Sequence, residues 1–357
     1  MEFKNNKEQS KFGLNSLDRG TCCNKKSAYS RFNSIVFLFT LFIIVLSCKK
    51  ETRLNTKLSG SVFGTSYSII YDADVNYQKQ FDSLFYVINK SLSTYQDNSD
   101  ISKLNRNEPT TIDAHFIKVF EASKAIYHQT EGAFDPTIGA IVNAWDFGPE
   151  NRISNLDSLK IDSLMWSVGF DKVHREANKI IKPEGTFLDF NAIAKGYAVD
   201  VISQFLSNKN IENFLVDIGG ELYVRGINKE KQNTWKVGVE DPNFDGLQSI
   251  HNIIALKDEG MATSGTYRKF KIDENGNRFS HIIDPQTGYP SKTNLLSISV
   301  IAENCMIADA YATAFKTMGI ARIETFLKSQ PKLKVYLIYE NDAKELETLS
   351  LNGFPTE

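Results

Sequence analysis

The spacing of apolar residues changes several times along the chain and predicts helices and strands in mixed order. Apolar side chains recur every three or four residues in five segments, which predicts amphipathic helices at residues 77–92, 115–130, 192–206, 306–318 and 321–327. Alternating or short apolar runs predict strands at residues 61–71, 187–190, 214–218, 221–224, 235–239, 250–256, 279–283, 295–302 and 334–339. The order lacks the regular alternation of a doubly wound sheet, so we predict an α+β fold.

A basic segment and a short apolar run precede this pattern. Lys25, Lys26 and Arg31 lead into apolar residues 35–46, which would span roughly 18 Å as a helix, less than the roughly 30 Å of a bilayer core. The segment therefore favours a signal peptide, with a short membrane anchor as the alternative. It ends at Ser47 and Cys48, an arrangement that resembles the lipobox of bacterial lipoproteins, in which the Cys carries the lipid.

These features predict three regions. Residues 1–47 form a signal peptide that ends at the lipobox, residues 48–58 form a polar tether that begins with lipidated Cys48, and residues 59–357 form one domain. Such a chain would be an exported bacterial lipoprotein, held at the cell membrane by its lipid and facing the periplasm.

Composition and charge exclude several classes of protein. The chain has 41% hydrophobic and 24% charged residues, a globular composition that excludes a disordered, collagen-like or coiled-coil chain. Residues 1–47 hold seven of the 41 Lys or Arg and three of the 43 Asp or Glu, which leaves a net charge of −6 on the remainder. That charge argues against a nucleic-acid-binding protein. Beyond Cys48 only Cys305 remains of the four cysteines, so no disulfide framework is predicted.

Two segments carry candidate phosphate and metal chemistry. Asp189 leaves a predicted strand, and Lys195 follows in the first turn of a helix, where free N–H groups and a cation suit a phosphate. Asp309 and Thr313 stand four residues apart on one helix and present oxygen donors of the kind that Mg²⁺ prefers. The alternatives are an exposed loop Asp with a surface Lys, and an ordinary helical Asp with a Thr bonded to its own helix.

A third segment, residues 280–288, ends a predicted strand in a turn rich in Asp, Pro and Gly. His281 and Asp284 stand three residues apart, and either could receive the proton of a hydroxyl nucleophile. Asp-Pro-x-x-Gly is equally a turn formula, so a structural role stays open. Glycine-containing loops at residues 132–136, 217–220 and 262–267 could bring backbone N–H groups to a ligand or only turn the chain.

Six sequence blocks, taken together and in this order, resemble the ApbE family, the FAD:protein FMN transferases. The similarity covers about residues 60–319, and each block alone would be weak. One departure is Asn191, where many members have Gly or Ser. The blocks are GAFDPTIGAIVNAWDFGP from Gly132, LDFNAIAKGYAVD from Leu188, VDIGGELYVRG from Val216, ATSGTYRKF from Ala262, SHIIDPQTG from Ser280 and ADAYATAFKTMG from Ala308.

The resemblance implies a single T-fold-like domain of mixed sheet and helices. It implies an enzyme that moves FMN from FAD to a Thr or Ser hydroxyl of a partner protein, with release of AMP and with Mg²⁺ on the diphosphate. The implied metal ligands are Asp309, Thr313 and the backbone carbonyl of Ala192. The implied FAD contacts are Phe63, Tyr95, Ala133, Phe134, Asp135, Asp189, Lys195 and Ile283.

In this mechanism a cation at Lys195 stabilises the charge that develops on the phosphate. His281 receives the proton of the acceptor, because imidazole titrates near neutral pH, and Asp284 is the second candidate. The resemblance implies FAD and a subunit of a respiratory electron-transfer complex as partners, and no nucleic acid. Two alternatives stay open: an FAD pyrophosphatase that uses water as acceptor, and a lipoprotein that binds FAD without turnover.

Overall fold

Strands make up much of the domain. The computed structural model describes residues 55–150, 153–243, 249–266, 270–272 and 278–356, and Cys48 with the predicted signal peptide lies outside them. The strands of these residues are β1 (Thr56–Val62), β2 (Thr65–Tyr71), β3 (His174–Glu176), β4 (Lys179–Ile181), β5 (Phe214–Ile218), β6 (Glu221–Arg225), β7 (Trp235–Glu240), β8 (Ile250–Leu256), β9 (Glu259–Gly265), β10 (Phe270–Ile272), β11 (Arg278–Ser280), β12 (Leu295–Ala302), β13 (Lys334–Glu340) and β14 (Leu346–Leu351).

Helices lie between these strands. Within the described residues they are α1 (Gln78–Leu92), α2 (Asp100–Asn105), α3 (Ala114–Gln129), α4 (Gly139–Ala144), α5 (Ser158–Met165), α6 (Ala194–Asn208), α7 (Cys305–Met318) and α8 (Ile320–Leu327). A short 3₁₀ helix at Phe170–Lys172 follows α5. None of the helices in the described part of the chain is long and apolar enough to span a bilayer.

Eight strands form one antiparallel sheet in the order β1-β2-β5-β6-β9-β12-β13-β14. Its side chains alternate between two faces. On β2, Ile69 and Tyr71 belong to the core that α1, α3, α6 and α7 cover, whereas Ile70 packs against a second core on the opposite face. The β7–β8 hairpin contributes Trp235 and Ile254 to that second core. The predicted α+β fold is therefore confirmed, with long helices on one face and a hairpin on the other.

Most predicted elements are present, and the differences have local causes. Residues 61–71 form a hairpin, not one strand, because Phe63 and Gly64 both adopt positive φ and reverse the chain. The predicted strand at 187–190 is reduced to a single bridge between Phe187 and Ile138. The strand predicted at 279–283 ends at Ser280. β1 begins at Thr56, inside the segment predicted as a tether.

The predicted glycine loop at residues 262–267 is the largest departure, since residues 259–265 form a central strand, β9. β9 lies between β6 and β12 in the sheet, and its small residues allow α7 to approach closely. A Cβ at Gly260 would stand 2.4 Å from the backbone nitrogen of Cys305 at the start of α7. The small residues therefore reflect helix packing and not a turn.

The end of α7 contains a fully buried lysine. The Lys316 amine donates to the Thr293 hydroxyl at 2.6 Å, and the Lys316 carbonyl accepts hydrogen bonds from the Ser291 and Thr293 hydroxyls. Burial lowers the pKa of Lys316 from 10.5 to about 7. The folded state therefore binds this proton more weakly than the unfolded state, and between pH 7 and 10.5 this group makes the free energy of unfolding rise with pH.

Lys316→Met should stabilise the protein most at or below pH 7, where the buried amine carries its charge in the native state. We expect the free energy of unfolding to rise by about 1–4 kcal/mol at pH 6, and the difference from the unaltered protein to shrink by pH 9. Denaturant unfolding at the two pH values measures this. Lys328→Met, at an exposed lysine, is the control and should change little at either pH. An equal effect of Lys316→Met at both pH values would contradict the prediction.

Candidate active site

A cavity of about 820 Å³ lies in the domain, within the size range of small-molecule sites. Segments far apart in sequence contribute its walls. The structure brings twelve of the predicted site residues to this cavity: Phe63, Tyr95, Ala133, Phe134, Asp135, Asp189, Ala192, Lys195, His281, Ile283, Asp309 and Thr313. Asp284 is not among the described residues that line it.

Two helices meet closely at the polar part of the cavity. The Gly196 N–H on α6 donates to Oδ2 of Asp309 on α7 at 3.0 Å. A Cβ at Gly196 would stand 2.4 Å from the Cys305 carbonyl oxygen and 2.8 Å from the Asp309 Cβ, so only glycine allows this approach. Asp309 is 5% exposed. Its carboxylate is therefore held by α6 as well as by its own helix.

Two further oxygen donors line the cavity near this contact. Gly196 is the third residue of α6, so its N–H has no acceptor within its own helix, and it donates to Asp309. Ala192, two residues before α6, lines the cavity and provides a backbone carbonyl. The Thr313 hydroxyl, one turn after Asp309 on α7, lies 3.2 Å from the Ser264 hydroxyl on β9. A carboxylate, a hydroxyl and a backbone carbonyl form an oxygen donor set that suits a hard divalent cation.

The charges around these donors also favour a cation. Lys195 forms an ion pair with Glu221, whose side chain is 3% exposed. Burial raises the pKa of Asp309 to about 7, the positive charge of Lys195 opposes that shift, and Glu221 adds to it. When Asp309 is ionised, two buried carboxylates face one lysine, and this part of the described site then has a net negative charge that a bound cation would balance.

The loops at one side of the cavity are shaped by two aspartates. Asp135 Oδ1 accepts hydrogen bonds from the Thr137 N–H at 2.8 Å and the Thr137 hydroxyl at 2.6 Å, and burial raises the pKa of Asp135 to about 6. Asp189 accepts from the Asn191 N–H at 2.8 Å and donates its own N–H to the Pro136 carbonyl. The bond between Asp189 and Pro136 joins the 133–136 loop to the segment that precedes α6.

Aromatic side chains line the remaining wall. The Phe63 ring packs edge-on against Phe85, with centroids 5.7 Å apart. Tyr95 is 59% exposed, and partial burial together with the nearby charge of Asp189 raises its pKa. Flat aromatic surfaces beside polar donors suit a ligand that has both a planar ring system and anionic groups.

His281 and Asp284 have different surroundings. His281 lines the cavity, and its ring lies against Phe147 with centroids 6.2 Å apart. Asp284 Oδ1 accepts from the Gln286 N–H at 2.9 Å, and its carbonyl accepts from the Gly288 N–H at 2.8 Å. The turn-forming role that the sequence left open for Asp284 is therefore the one that the structure describes.

Glu221 and Ser264 also line the cavity, although the sequence did not predict either as a site residue. Glu221 follows the Gly219-Gly220 turn directly, and Ser264 lies in the segment that was predicted as a loop. Glu221 could have been predicted as a site residue from its position, because it is a carboxylate at the start of a mostly apolar strand. The partner that explains it, Lys195, is 26 residues away in sequence.

Comparisons with known proteins show similarity along most of the chain. The ApbE family matches residues 63–337. A protein of Haemophilus influenzae named FAD:protein FMN transferase is 34% identical over 342 residues, which cover 90% of this chain and 94% of the relative. A Vibrio cholerae protein of the same name is 34% identical over 302 residues, 81% of this chain and 89% of the relative. The solved structure of flavin transferase ApbE from Vibrio cholerae matches with a TM-score of 0.74 and 32% identity, over 83% of this chain and 96% of that one.

Gly196→Ala should destabilise the domain, because the added methyl would overlap the Cys305 carbonyl and force α6 and α7 apart. We expect a loss of about 1–3 kcal/mol, or roughly 2–5 °C in melting temperature for a domain of about 300 residues. Thermal unfolding measures this. The matched control is Gly185→Ala, where the nearest atom to the new Cβ would be 3.5 Å away. Similar melting temperatures for the two variants would contradict the close approach of the helices.

Proposed function

This chain belongs to the ApbE family, and we propose on that basis that it transfers FMN from FAD to a Thr or Ser hydroxyl of a partner protein and releases AMP. One observation carries the proposal. Asp309, Thr313, the Ala192 carbonyl, Lys195 and His281 line a single cavity, although they come from three separate sequence segments. The relatives named FAD:protein FMN transferase support flavin transfer.

Mg²⁺ is the proposed cofactor. Asp309, Thr313 and the Ala192 carbonyl would hold it, and the buried negative charge of the site fits a divalent cation. When bound, the ion supplies charge stabilisation to a diphosphate whose central bond is breaking. Glu221 would keep Lys195 near that charge, since the two side chains are already paired.

Other residues of this chain would bind the diphosphate, receive the proton and contact the flavin. Lys195 binds the anionic oxygens of the diphosphate and stabilises the negative charge that grows on them in the transition state. His281 is the proposed base that receives the proton of the acceptor hydroxyl. Phe63, Tyr95 and Phe134 contribute aromatic surface for the flavin. His281 is preferred to Asp284, the second candidate, because His281 lines the cavity and the Asp284 carboxylate accepts a hydrogen bond within a turn.

The proposed reaction is a single displacement at phosphorus. The acceptor hydroxyl oxygen bonds to the phosphorus on the FMN side of FAD, and the bond from that phosphorus to the bridging oxygen breaks. The electron pair of the broken bond leaves on AMP, and the hydroxyl proton goes to His281. The product is FMN joined to the partner through a phosphoester.

The acceptor and the location complete the proposal. The acceptor would be a subunit of a respiratory electron-transfer complex that carries a Thr or Ser at its flavin attachment site. We also propose that the chain is exported and anchored through lipid on Cys48, so that its cavity faces the periplasm.

The transfer can be tested with the purified protein, FAD, Mg²⁺ and a Thr-bearing acceptor domain, by measuring flavin fluorescence on the denatured acceptor. We expect covalent labelling that Asp309→Asn and His281→Ala reduce by at least about 100-fold, a typical effect of losing a group that acts in the transition state. Asp284→Asn and His128→Ala, which alter groups outside the cavity, should keep most of the activity. Free FMN without labelling would indicate hydrolysis, and unchanged FAD would indicate binding alone; either result contradicts the transferase.

Cys48→Ser should abolish lipid attachment and move the protein from the membrane to the soluble fraction. Metabolic labelling with a radioactive fatty acid and fractionation of cells measure this. Cys305→Ser is the control, because Cys305 is buried in the domain. Membrane association and labelling that persist in Cys48→Ser would contradict the lipid anchor.

A further inference from the structure

The carboxylate of Asp200 joins the two helices that carry the polar site. Asp200 lies on α6, one helical turn after Gly196. Its Oδ1 accepts a hydrogen bond from the Cys305 N–H at 2.8 Å, and its Oδ2 accepts one from the Met306 N–H at 2.9 Å. These are the first two N–H groups of α7, which have no acceptor within their own helix. A side chain from the neighbouring helix satisfies both.

A conventional cap is present at the same helix end. The Asn304 side chain accepts a hydrogen bond from the Ile307 N–H at 3.0 Å, as helix-capping residues do. Asn304 directly precedes α7 in the chain, so this bond stabilises the helix but does not set its position relative to α6. Asp200 is held in α6, so its two bonds determine where α7 begins relative to α6.

The atoms that Asp200 holds are tightly packed on both sides. A Cβ at Gly196 would meet the Cys305 carbonyl oxygen at 2.4 Å, and one at Gly260 would meet the Cys305 nitrogen at 2.4 Å. Gly196 also contacts Asp309, the residue one turn further along α7. A shift of the first turn of α7 would therefore change the contact between Gly196 and Asp309.

We propose that Asp200 is a positioning residue, whose double hydrogen bond sets the distance between the site groups of α6 and those of α7. The α6 side contributes Lys195 and the adjoining Ala192 carbonyl, and the α7 side contributes Asp309 and Thr313. This role rests on the proposed function, because it assigns Asp200 to the cation and diphosphate site of that reaction. Burial raises the pKa of Asp200 to about 7, and the two N–H groups and Lys118 oppose that shift.

Two variants of Asp200 separate positioning from capping. Asp200→Asn replaces one of the two carboxylate oxygens with an amide NH₂. One of the two backbone N–H groups of α7 then faces another donor, and its hydrogen bond is lost. Asp200→Glu keeps the charge and both acceptors but lengthens the side chain by one methylene, which displaces α7 while its N–H groups stay bonded. Asn304→Ala is the matched control, since it removes a hydrogen bond from the same helix end without touching α6.

The readouts are Mn²⁺ affinity of the full chain without FAD, by titration calorimetry, and hydrogen exchange of the Gly196 amide. Both Asp200 variants should weaken Mn²⁺ binding by about ten-fold or more, the usual effect of altering a residue that orients metal ligands, and should speed Gly196 exchange. Asn304→Ala should lower the melting temperature and leave both readouts within about two-fold. In the transfer assay the Asp200 variants should lower kcat more than they raise the KM for FAD.

Unchanged Mn²⁺ affinity and unchanged Gly196 exchange in the Asp200 variants would overturn this role. Equal effects in Asn304→Ala would overturn it as well, because capping alone would then explain the result. The unaltered protein tests the proposed function separately. If it transfers no FMN while both Asp200 variants still weaken Mn²⁺ binding and speed Gly196 exchange, the transferase is wrong and the positioning role stands.

Discussion

The hydrogen bond from the Gly196 N–H to the Asp309 carboxylate joins the two helices on which the candidate site is built. It requires glycine at position 196, because a side chain there would overlap Cys305 and Asp309. Gly196 is the third residue of α6, so this N–H has no acceptor within its own helix. One contact therefore satisfies this N–H and holds a carboxylate at the cavity, so the donor set depends on helix packing as well as on the side chains themselves.

The charges at this contact explain why the site suits an anionic ligand together with a cation. Glu221 and Asp309 are both buried carboxylates, and Lys195 is paired with the first. Buried charge of one sign is unfavourable unless a partner balances it. A divalent ion would balance the carboxylates, and a diphosphate would then balance the ion and compete with Glu221 for Lys195.

The sequence predicted what local patterns encode. The spacing of Asp309 and Thr313 predicted a shared helix face, and Lys195 was predicted at the start of a helix; both lie at the cavity. Contacts between residues far apart in the sequence were not predicted. β9 was interpreted as a glycine loop, because nothing local indicates that α7 packs against Gly260. The hairpin at residues 61–71 was not predicted, because its turn places Phe63 at positive φ, which is uncommon for a residue other than glycine. The sequence also did not show that His281 lines the cavity while Asp284 does not.

Both ends of α7 are fastened to other parts of the fold. At its start the Asp200 carboxylate holds Cys305 and Met306, and at its end the hydroxyls of Ser291 and Thr293 hold the Lys316 carbonyl. Because α7 is bonded at both ends, it can neither slide nor tilt without breaking several hydrogen bonds. Any adjustment to a ligand therefore falls to groups outside α7, such as the side chain of Tyr95, which is 59% exposed. α7 thus presents Asp309 and Thr313 in a preorganised arrangement, so a bound ligand would meet these donors without prior rearrangement of the helix.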